Sequence, residues 1–278
     1  MPSRRTYLST LAAVSLAGCV STTPDATTES TTETTTATST SSRPAVTVEA
    51  AAVQYAYRHI ESVDWNAIQP ADGQFVFVTV DATDAAAVPG RDAFTLLTDD
   101  ERHTTIEIAD TMPVDVDVPG EVYKPEREQT EPRGWLVFDV PAQLDSSPSL
   151  RLDGETGSWE WPLSIAKATS PPPAWEWRAS APEAVYPDET FTITVAAENV
   201  GDGPGTFRGA VNFSYPLYRP KGFDIPLDAG AAGEATVTAS STNADPGMEL
   251  TYGIRTPTGQ SDVAVTVESA PTTTENTN

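Results

Sequence analysis

The sequence is poor in cysteine and histidine, the residues that most often form disulfides, metal sites and catalytic centres. Its 278 residues include one cysteine, Cys19, and two histidines, His59 and His103. One cysteine cannot form a disulfide within the chain, and a zinc site needs three or four ligands. Neither a His-Glu-x-x-His nor a Gly-x-Ser-x-Gly pattern is present. We therefore predict that the chain is not an enzyme and holds no metal or cofactor through these residues.

Positive charge is also scarce. The chain has 16 Lys and Arg against 40 Asp and Glu, a formal net charge of -24, and its three lysines are Lys124, Lys167 and Lys221. Nucleic-acid binding needs clustered Lys and Arg that displace counterions from phosphates, so we predict no nucleic-acid partner. Self-repulsion on this scale destabilises a compact state in dilute buffer and is screened in molar salt. This acidic, lysine-poor composition resembles that of proteins from extremely halophilic archaea.

The first residues of the sequence resemble an export signal peptide. Arg4 and Arg5 precede an apolar run over residues 8–17. That run is shorter than the roughly 20 residues that cross a bilayer, whereas a paired arginine is typical of the export route for folded proteins. The four residues that end at Cys19 resemble a lipobox, which implies an acylated Cys19 as the new N-terminus. We predict a membrane partner through this lipid anchor and an extracytoplasmic location on the outer face of the membrane.

Composition divides the rest of the chain into tether, strand-rich segments and linker. Residues 20–44 are almost all Ser, Thr, Glu, Ala, Asp and Pro, which cannot form an apolar core. Three consecutive prolines, Pro171 to Pro173, favour an extended linker. The predicted parts are a signal peptide (1–18), a lipidated cysteine with a disordered tether (19–44), a first β-sandwich (45–168), a linker (169–174), a second β-sandwich (175–269) and a disordered tail (270–278).

Short runs with alternating polarity fill both strand-rich segments, each bounded by Pro, Gly or Asp, which is typical of β-sandwiches. In 189–199, Phe191, Ile193 and Val195 fall on one face of a predicted strand. Residues 50–60 admit a helix, but their Val and Tyr content favours a strand. We predict an all-β fold with two tandem immunoglobulin-like β-sandwiches. The strands are predicted at 46–50, 74–83, 94–98, 105–108, 114–118, 135–140, 149–152, 158–165, 175–179, 189–199, 206–215, 233–241, 250–256 and 262–268.

Both segments resemble known families in their pattern of strands and turns. The stretches "GQFVFVTVDATD", "AFTLLTDDERH" and "GWLVFDVPAQLDSSPSLRL" resemble an immunoglobulin-like domain of unknown function that is common in bacterial and archaeal lipoproteins. The stretch "ETFTITVAAENVGDGPGTFRGAVNF" resembles the cell-adhesion-related β-sandwich repeats of prokaryotic surface proteins. Together the resemblances cover residues 45–269 and imply the fold. Neither family implies catalytic residues.

Two tryptophan pairs flank the proline linker, Trp159 with Trp161 and Trp175 with Trp177. Strand alternation places both members of a pair on one face. The pairs are candidates for an exposed aromatic contact with sugar or peptide, and core packing is the other interpretation because large aromatic side chains are usually buried.

Three further patterns have a chemical and a structural interpretation. Acids cluster at 81–84, 99–101 and 115–117, where calcium is a candidate ligand because hard cations prefer several oxygens. Asn212 begins an Asn-Phe-Ser triplet, which makes it a candidate glycosylation site inside a predicted strand. The glycine-rich stretch 201–205 lacks a following helix, so we predict a hairpin loop instead of a phosphate site.

These features favour a lipid-anchored protein of the cell surface that acts as a binding, adhesion or accessory module of the envelope. Its expected partner is a surface protein or a glycan. A solute-capturing lipoprotein, a secreted hydrolase and a structural spacer are the other interpretations. A glycosidase-type carboxylate pair needs only to meet in space, so the sequence alone leaves the hydrolase open.

Overall fold

The computed structural model describes residues 45–62, 65–99, 101–108, 114–126, 131–155, 157–213 and 220–269. The predicted all-β fold is confirmed: these ranges form sixteen strands and two short 3-10 helices, at Arg91–Ala93 and Ala166–Thr169. In the described part no helix is long and apolar enough to cross a membrane. The predicted signal peptide, the tether and the tail lie outside the described residues, and so do Arg4, Arg5 and Cys19.

The first eight strands form two sheets. They are β1 (Thr47–Ser62), β2 (Trp65–Asp81), β3 (Phe94–Leu97), β4 (Arg102–Thr104), β5 (Val114–Asp115), β6 (Arg133–Val140), β7 (Ser149–Gly154) and β8 (Gly157–Pro162). Sheet A has the order β5-β1-β2-β6 and sheet B the order β4-β3-β7-β8. All neighbouring strands in both sheets are antiparallel.

The other eight strands form sheets C and D. They are β9 (Trp175–Ser180), β10 (Ala184–Val185), β11 (Thr190–Asn199), β12 (Gly205–Phe213), β13 (Lys221–Leu227), β14 (Ala232–Ser240), β15 (Glu249–Thr256) and β16 (Gly259–Val267). Sheet C has the order β14-β11-β9 and sheet D the order β10-β16-β15-β12-β13. β10 runs parallel to β16, and the other neighbours are antiparallel.

Sheets A and B enclose one apolar core, and we call this pair the N-terminal sandwich. Val76, Val78 and Phe138 of sheet A meet Leu96 and Leu150 of sheet B, and all five are almost fully buried. Strand alternation sends these side chains to one face of each sheet. The core therefore lies between the two sheets.

Sheet A is covered on its other face as well. There Phe75, Phe77 and Trp135 project from β2 and β6 and pack under Ile108 and Val122 of the intervening loops. A strand buried on both faces has a continuous apolar run instead of alternation, and β2 shows it: its residues from 75 to 80 are all buried. Sheet A is thus the middle layer of the N-terminal half.

Sheets C and D enclose a second core, and we call this pair the C-terminal sandwich. Phe191, Ile193 and Val195 of β11 point inward as predicted, opposite Phe207 and Ile254 of sheet D. The residues between them on β11 are polar or small and face outward. Sheet C therefore has one buried face and one open face.

Asn199, at the end of β11, ties three segments of the C-terminal half together. Its side chain is fully buried. Its Oδ1 accepts hydrogen bonds from the main-chain N–H groups of Ala174 (3.2 Å) and Gly201 (3.1 Å). Its Nδ2 donates to the carbonyl oxygens of Gly203 (2.8 Å) and Asp228 (3.2 Å). Asn199 thus fastens the proline segment and the β13–β14 turn to the loop after β11.

Several local predictions change in the structure. Residues 50–60 are strand, as favoured, within β1, but 105–108 are not: the strand there is Arg102–Thr104. The stretch 201–205 is not a hairpin loop, because β11 belongs to sheet C and β12 to sheet D. The proline linker packs directly against this stretch instead. A side chain at Gly203 would overlap the carbonyl group of Pro171, so the close contact needs glycine there. The strand β13 was not predicted.

Candidate binding surface

The four tryptophans of the predicted aromatic contact pack against the two cores. Trp161 is 8% exposed, and Trp159 packs partly buried beside it in the N-terminal sandwich. Trp175 and Trp177 lie with their ring centroids 5.5 and 6.3 Å from that of Phe207 in the C-terminal sandwich. The members of each pair share a face, with an exposed glutamate between them. Their rings stabilise the cores, and a role in recognition stays a prediction.

Acids of all three predicted clusters have protein partners, and Glu101 of the second cluster lies 3.8 Å from Nε2 of His103. Asp81 accepts hydrogen bonds from the main-chain N–H (2.9 Å) and hydroxyl (2.6 Å) of Thr83, and these hydrogen bonds lower its pKa. Asp115 and Asp117 are paired with arginines. In the described part of the chain, no group of three or more His, Cys, Asp or Glu side chains is arranged to hold a metal ion. Calcium binding stays a prediction.

The two histidines lie on strands of different sheets. His59 is in β1, with its ring centroid 5.8 Å from that of Tyr57, and its Nδ1 is buried. His103 is in β4, where its Nε2 lies 3.4 Å from the hydroxyl of Thr98 and 3.8 Å from the carboxylate of Glu101. Each ring belongs to the local packing of its own sheet.

Asn212, the candidate glycosylation site, is 1% exposed and lies where the two sandwiches meet. Its Oδ1 accepts a hydrogen bond from the main-chain N–H of Asn66 (2.9 Å), and its Nδ2 donates to the carbonyl oxygen of Asn66 (3.1 Å). A glycan would be attached at Nδ2. Glycosylation of Asn212 would therefore require this contact between β2 and β12 to open.

Arg208 forms the ionic centre of the same junction. It lies on β12, and its side chain is only 4% exposed. Its Nη2 lies 2.7 Å from the carboxylate of Asp117 in the N-terminal half, and its Nε lies 2.9 Å from that of Asp224 on β13. Burying a charge is costly unless it is paired and hydrogen-bonded, and here two carboxylates satisfy the guanidinium. Arg208 thus depends on both halves of the chain.

Arg58 completes the junction from the opposite side. It lies on β1 and pairs with Asp115 of the neighbouring strand. Its Nη1 lies 3.6 Å from Asp224 and donates to the carbonyl oxygen of Gly209 at 3.1 Å. A side chain at Gly222 of β13 would overlap the Arg58 guanidinium, which would have to move. We call Arg58, Arg208, Asp115, Asp117 and Asp224 the ionic junction.

The outer face of sheet C carries exposed and half-buried side chains of β9, β11 and β14. A shallow groove of about 460 Å³ crosses β9, β11 and β14 on this face. Ala196 lies at its centre, directly opposite Arg178 on one side and Glu234 on the other. Small residues lower the floor, because Ala and Gly leave the sheet backbone uncovered. The residues that line this sheet C groove are Glu176, Trp177, Arg178, Ala196, Ala197, Glu198, Ala232, Gly233 and Glu234.

The rim of the sheet C groove is acidic. Glu176, Glu198 and Glu234 are exposed, and Arg178 is the rim's one cation. Glu176 and Glu198 are direct cross-strand neighbours. Such neighbours have Cβ atoms about 4.5–5.5 Å apart, and like charges at this spacing are destabilising. A cation placed between the two carboxylates would remove that cost.

The sheet C groove was not predicted from the sequence. Alternation along β11 shows that Ala196 and Glu198 face away from Ile193 and Val195. Their neighbours across the sheet come from strands about 20 residues before and 40 residues after them, and only the register brings them together. The one local signal was Glu198 beside the small Ala196 on the outward face of β11.

Comparison with known proteins gives no family. No family model and no curated protein matches the chain. A β-glucosidase from Listeria innocua in complex with glucose is 17% identical, with a TM-score of 0.29, over 34% of this chain and 16% of its own. A β-glucosidase from Erythrobacter marinus is 11% identical, with a TM-score of 0.28, over 34% of this chain and 15% of its own. This chain thus spans about a sixth of either enzyme, and scores this low assign it no activity.

Proposed function

We propose that this chain is a lipid-anchored binding module of the cell surface. Two immunoglobulin-like sandwiches stand on a Ser/Thr-rich tether that is attached to the outer face of the membrane through Cys19. The support comes from the twin-arginine start, the lipobox-like residues before Cys19 and the acidic, lysine-poor composition. The all-β fold and its two cores agree with such a module.

The observation that carries the proposal is the sheet C groove. The groove is a concave surface of about 460 Å³ that the described residues leave uncovered. It lies on a face of regular strands, which hold their side chains more precisely than loops do. We propose that a component of the cell surface docks there.

A single engineered thiol tests the groove. Cys19 is the one cysteine of the chain, and acylation would block its thiol, so Ala196→Cys adds one reactive group in the groove. Thr192→Cys is the matched control, on the same strand and face but about 13 Å away. We expect a thiol-linked photocrosslinker on intact cells to give an adduct of defined mass from Ala196→Cys and little from Thr192→Cys. Identical adducts, or none, would contradict the proposal.

A groove-filling pair extends this test to binding. The partner that the crosslink identifies should no longer co-purify with the Ala196→Trp variant. It should co-purify with the Thr192→Trp variant as it does with the parent chain. Both positions face outward, so both variants should keep the wild-type thermal unfolding midpoint within a few degrees.

The anchor has its own test. If Cys19 carries the lipid, Cys19→Ser removes it, and the protein is either released into the medium or kept as a longer precursor. Fractionation of cells with detection of the chain's mass distinguishes these states from normal processing. Normal processing with undiminished membrane retention would disprove the anchor.

A further inference from the structure

The sheet C groove has a charge pattern that selects a class of partner. Two of its carboxylates, on Glu176 and Glu198, stand side by side on neighbouring strands. Among the described residues neither carboxylate has an ion-pair or hydrogen-bond partner, in contrast to the acids of the ionic junction. Glu234 adds a third exposed carboxylate across Ala196.

We propose, on the basis of the proposed function, that the sheet C groove binds a cationic polypeptide segment. An ammonium or guanidinium group of the segment enters between Glu176 and Glu198, above the alanine floor. Charge-assisted hydrogen bonds to carboxylates are about twice as strong as neutral ones. The bound cation also offsets the repulsion of the Glu176–Glu198 pair, so the acids stabilise the complex more than the free chain.

Charge argues against two other occupants. A second copy of this chain would bring a face with the same three glutamates and one arginine against the first. The chain's own segment 20–44 carries Asp25, Glu29 and Glu33 and one cation, Arg43. Both occupants would add like charge to the groove, whereas a Lys- or Arg-bearing segment brings the opposite charge.

The surface beside the groove fits an extended polypeptide. Thr194 continues along β11 and lies opposite Thr236 on β14. These exposed or half-exposed hydroxyls can donate to and accept from main-chain amides and carbonyls. From Glu198 to Thr194 the face extends about 13 Å, which is the length of four extended residues.

Peptide binding to the full chain tests the inference. The probe is a nine-residue peptide with arginine at every second position, and the same peptide with glutamate and free spermine are the comparison ligands. We expect the arginine peptide to bind and the dissociation constant to rise about tenfold in Glu176→Gln/Glu198→Gln. Glu183→Gln/Glu249→Gln is the control, because it makes the same charge change at exposed sites of the same sandwich.

Each outcome decides one point. Equal weakening in both double variants would reveal a net-charge effect and overturn the inference. Spermine could bind as tightly as the arginine peptide and be weakened equally by Glu176→Gln/Glu198→Gln. That result would assign the site to small polycations instead of a polypeptide. A groove adduct from Ala196→Cys that persists in Glu176→Gln/Glu198→Gln, without arginine-peptide binding, would leave the proposed function standing and disprove the cationic partner.

Discussion

Sheet A and sheet C differ in how many of their faces the chain covers. In sheet A, Val76 and Val78 pack toward sheet B, while Phe75 and Phe77 pack under the loops on the other side. In sheet C the inward face packs on sheet D, and no described residue covers the outward face with an apolar layer. A face that the chain itself covers serves stability. An uncovered face of regular strands is free to serve a partner, which is why we place the proposed binding surface on sheet C.

The largest expected effect comes from the covered face of sheet A. Phe77 is fully buried, and its ring meets that of Trp135 edge-on at a centroid distance of 5.4 Å. We expect Phe77→Ala to lower the free energy of unfolding by about 3–5 kcal/mol, because it leaves a cavity under the loop layer. Thr192→Ala, on the uncovered face of sheet C, should change it by less than about 0.5 kcal/mol.

Denaturant unfolding in high salt measures both variants. Equal effects would mean that the outer face of sheet A is not a true core, and the comparison between the sheets would fail. A large loss in Thr192→Ala alone would mean that the outer face of sheet C is occupied by the chain itself.

The fold class could be predicted from the sequence because alternation and turn residues are local signals. β11 alternates, and its inward residues are the predicted ones. The strand predicted at 105–108 was wrong for a physical reason. Ile106 and Ile108 do point to one side, but they belong to a segment that lies on sheet A. Alternation reports one-sided burial, and a coil that crosses a sheet gives the same pattern as a strand.

The binding surface and the ionic junction could not be predicted from the sequence, because both depend on contacts between residues that are far apart in the chain. Arg208 meets Asp117, 91 residues away, and Asn212 meets Asn66, 146 residues away. No local pattern reports such contacts. The tryptophan pairs show a related limit of local patterns. Alternation correctly placed both members of each pair on one face, but it could not predict whether that face is buried.

The smaller expected effect concerns the ionic junction between the two sandwiches. Asp224 serves both Arg208 and Arg58, so Asp224→Asn weakens one contact of each arginine and leaves Asp117 and Asp115 as their remaining partners. Removing one partner of a buried charge costs about 3–5 kcal/mol when no other partner remains. Because each arginine keeps a second carboxylate, we expect a loss of about 1–2 kcal/mol, measured against exposed Asp228→Asn.

The more direct measurement is the orientation of the two sandwiches. Spin labels at Ala86→Cys and Thr192→Cys, in a Cys19→Ser background, place one probe on each half of the chain. We expect one narrow distance distribution in the parent and a broader one in Asp224→Asn. Gly222→Ala keeps every charge, but its methyl group displaces the Arg58 guanidinium from Asp115 and from the carbonyl oxygen of Gly209, so it should broaden the distribution in the same way. If both variants keep the narrow distribution, the Asn66–Asn212 hydrogen bonds and apolar contacts fix the orientation, and the arginines only neutralise the acids beside them.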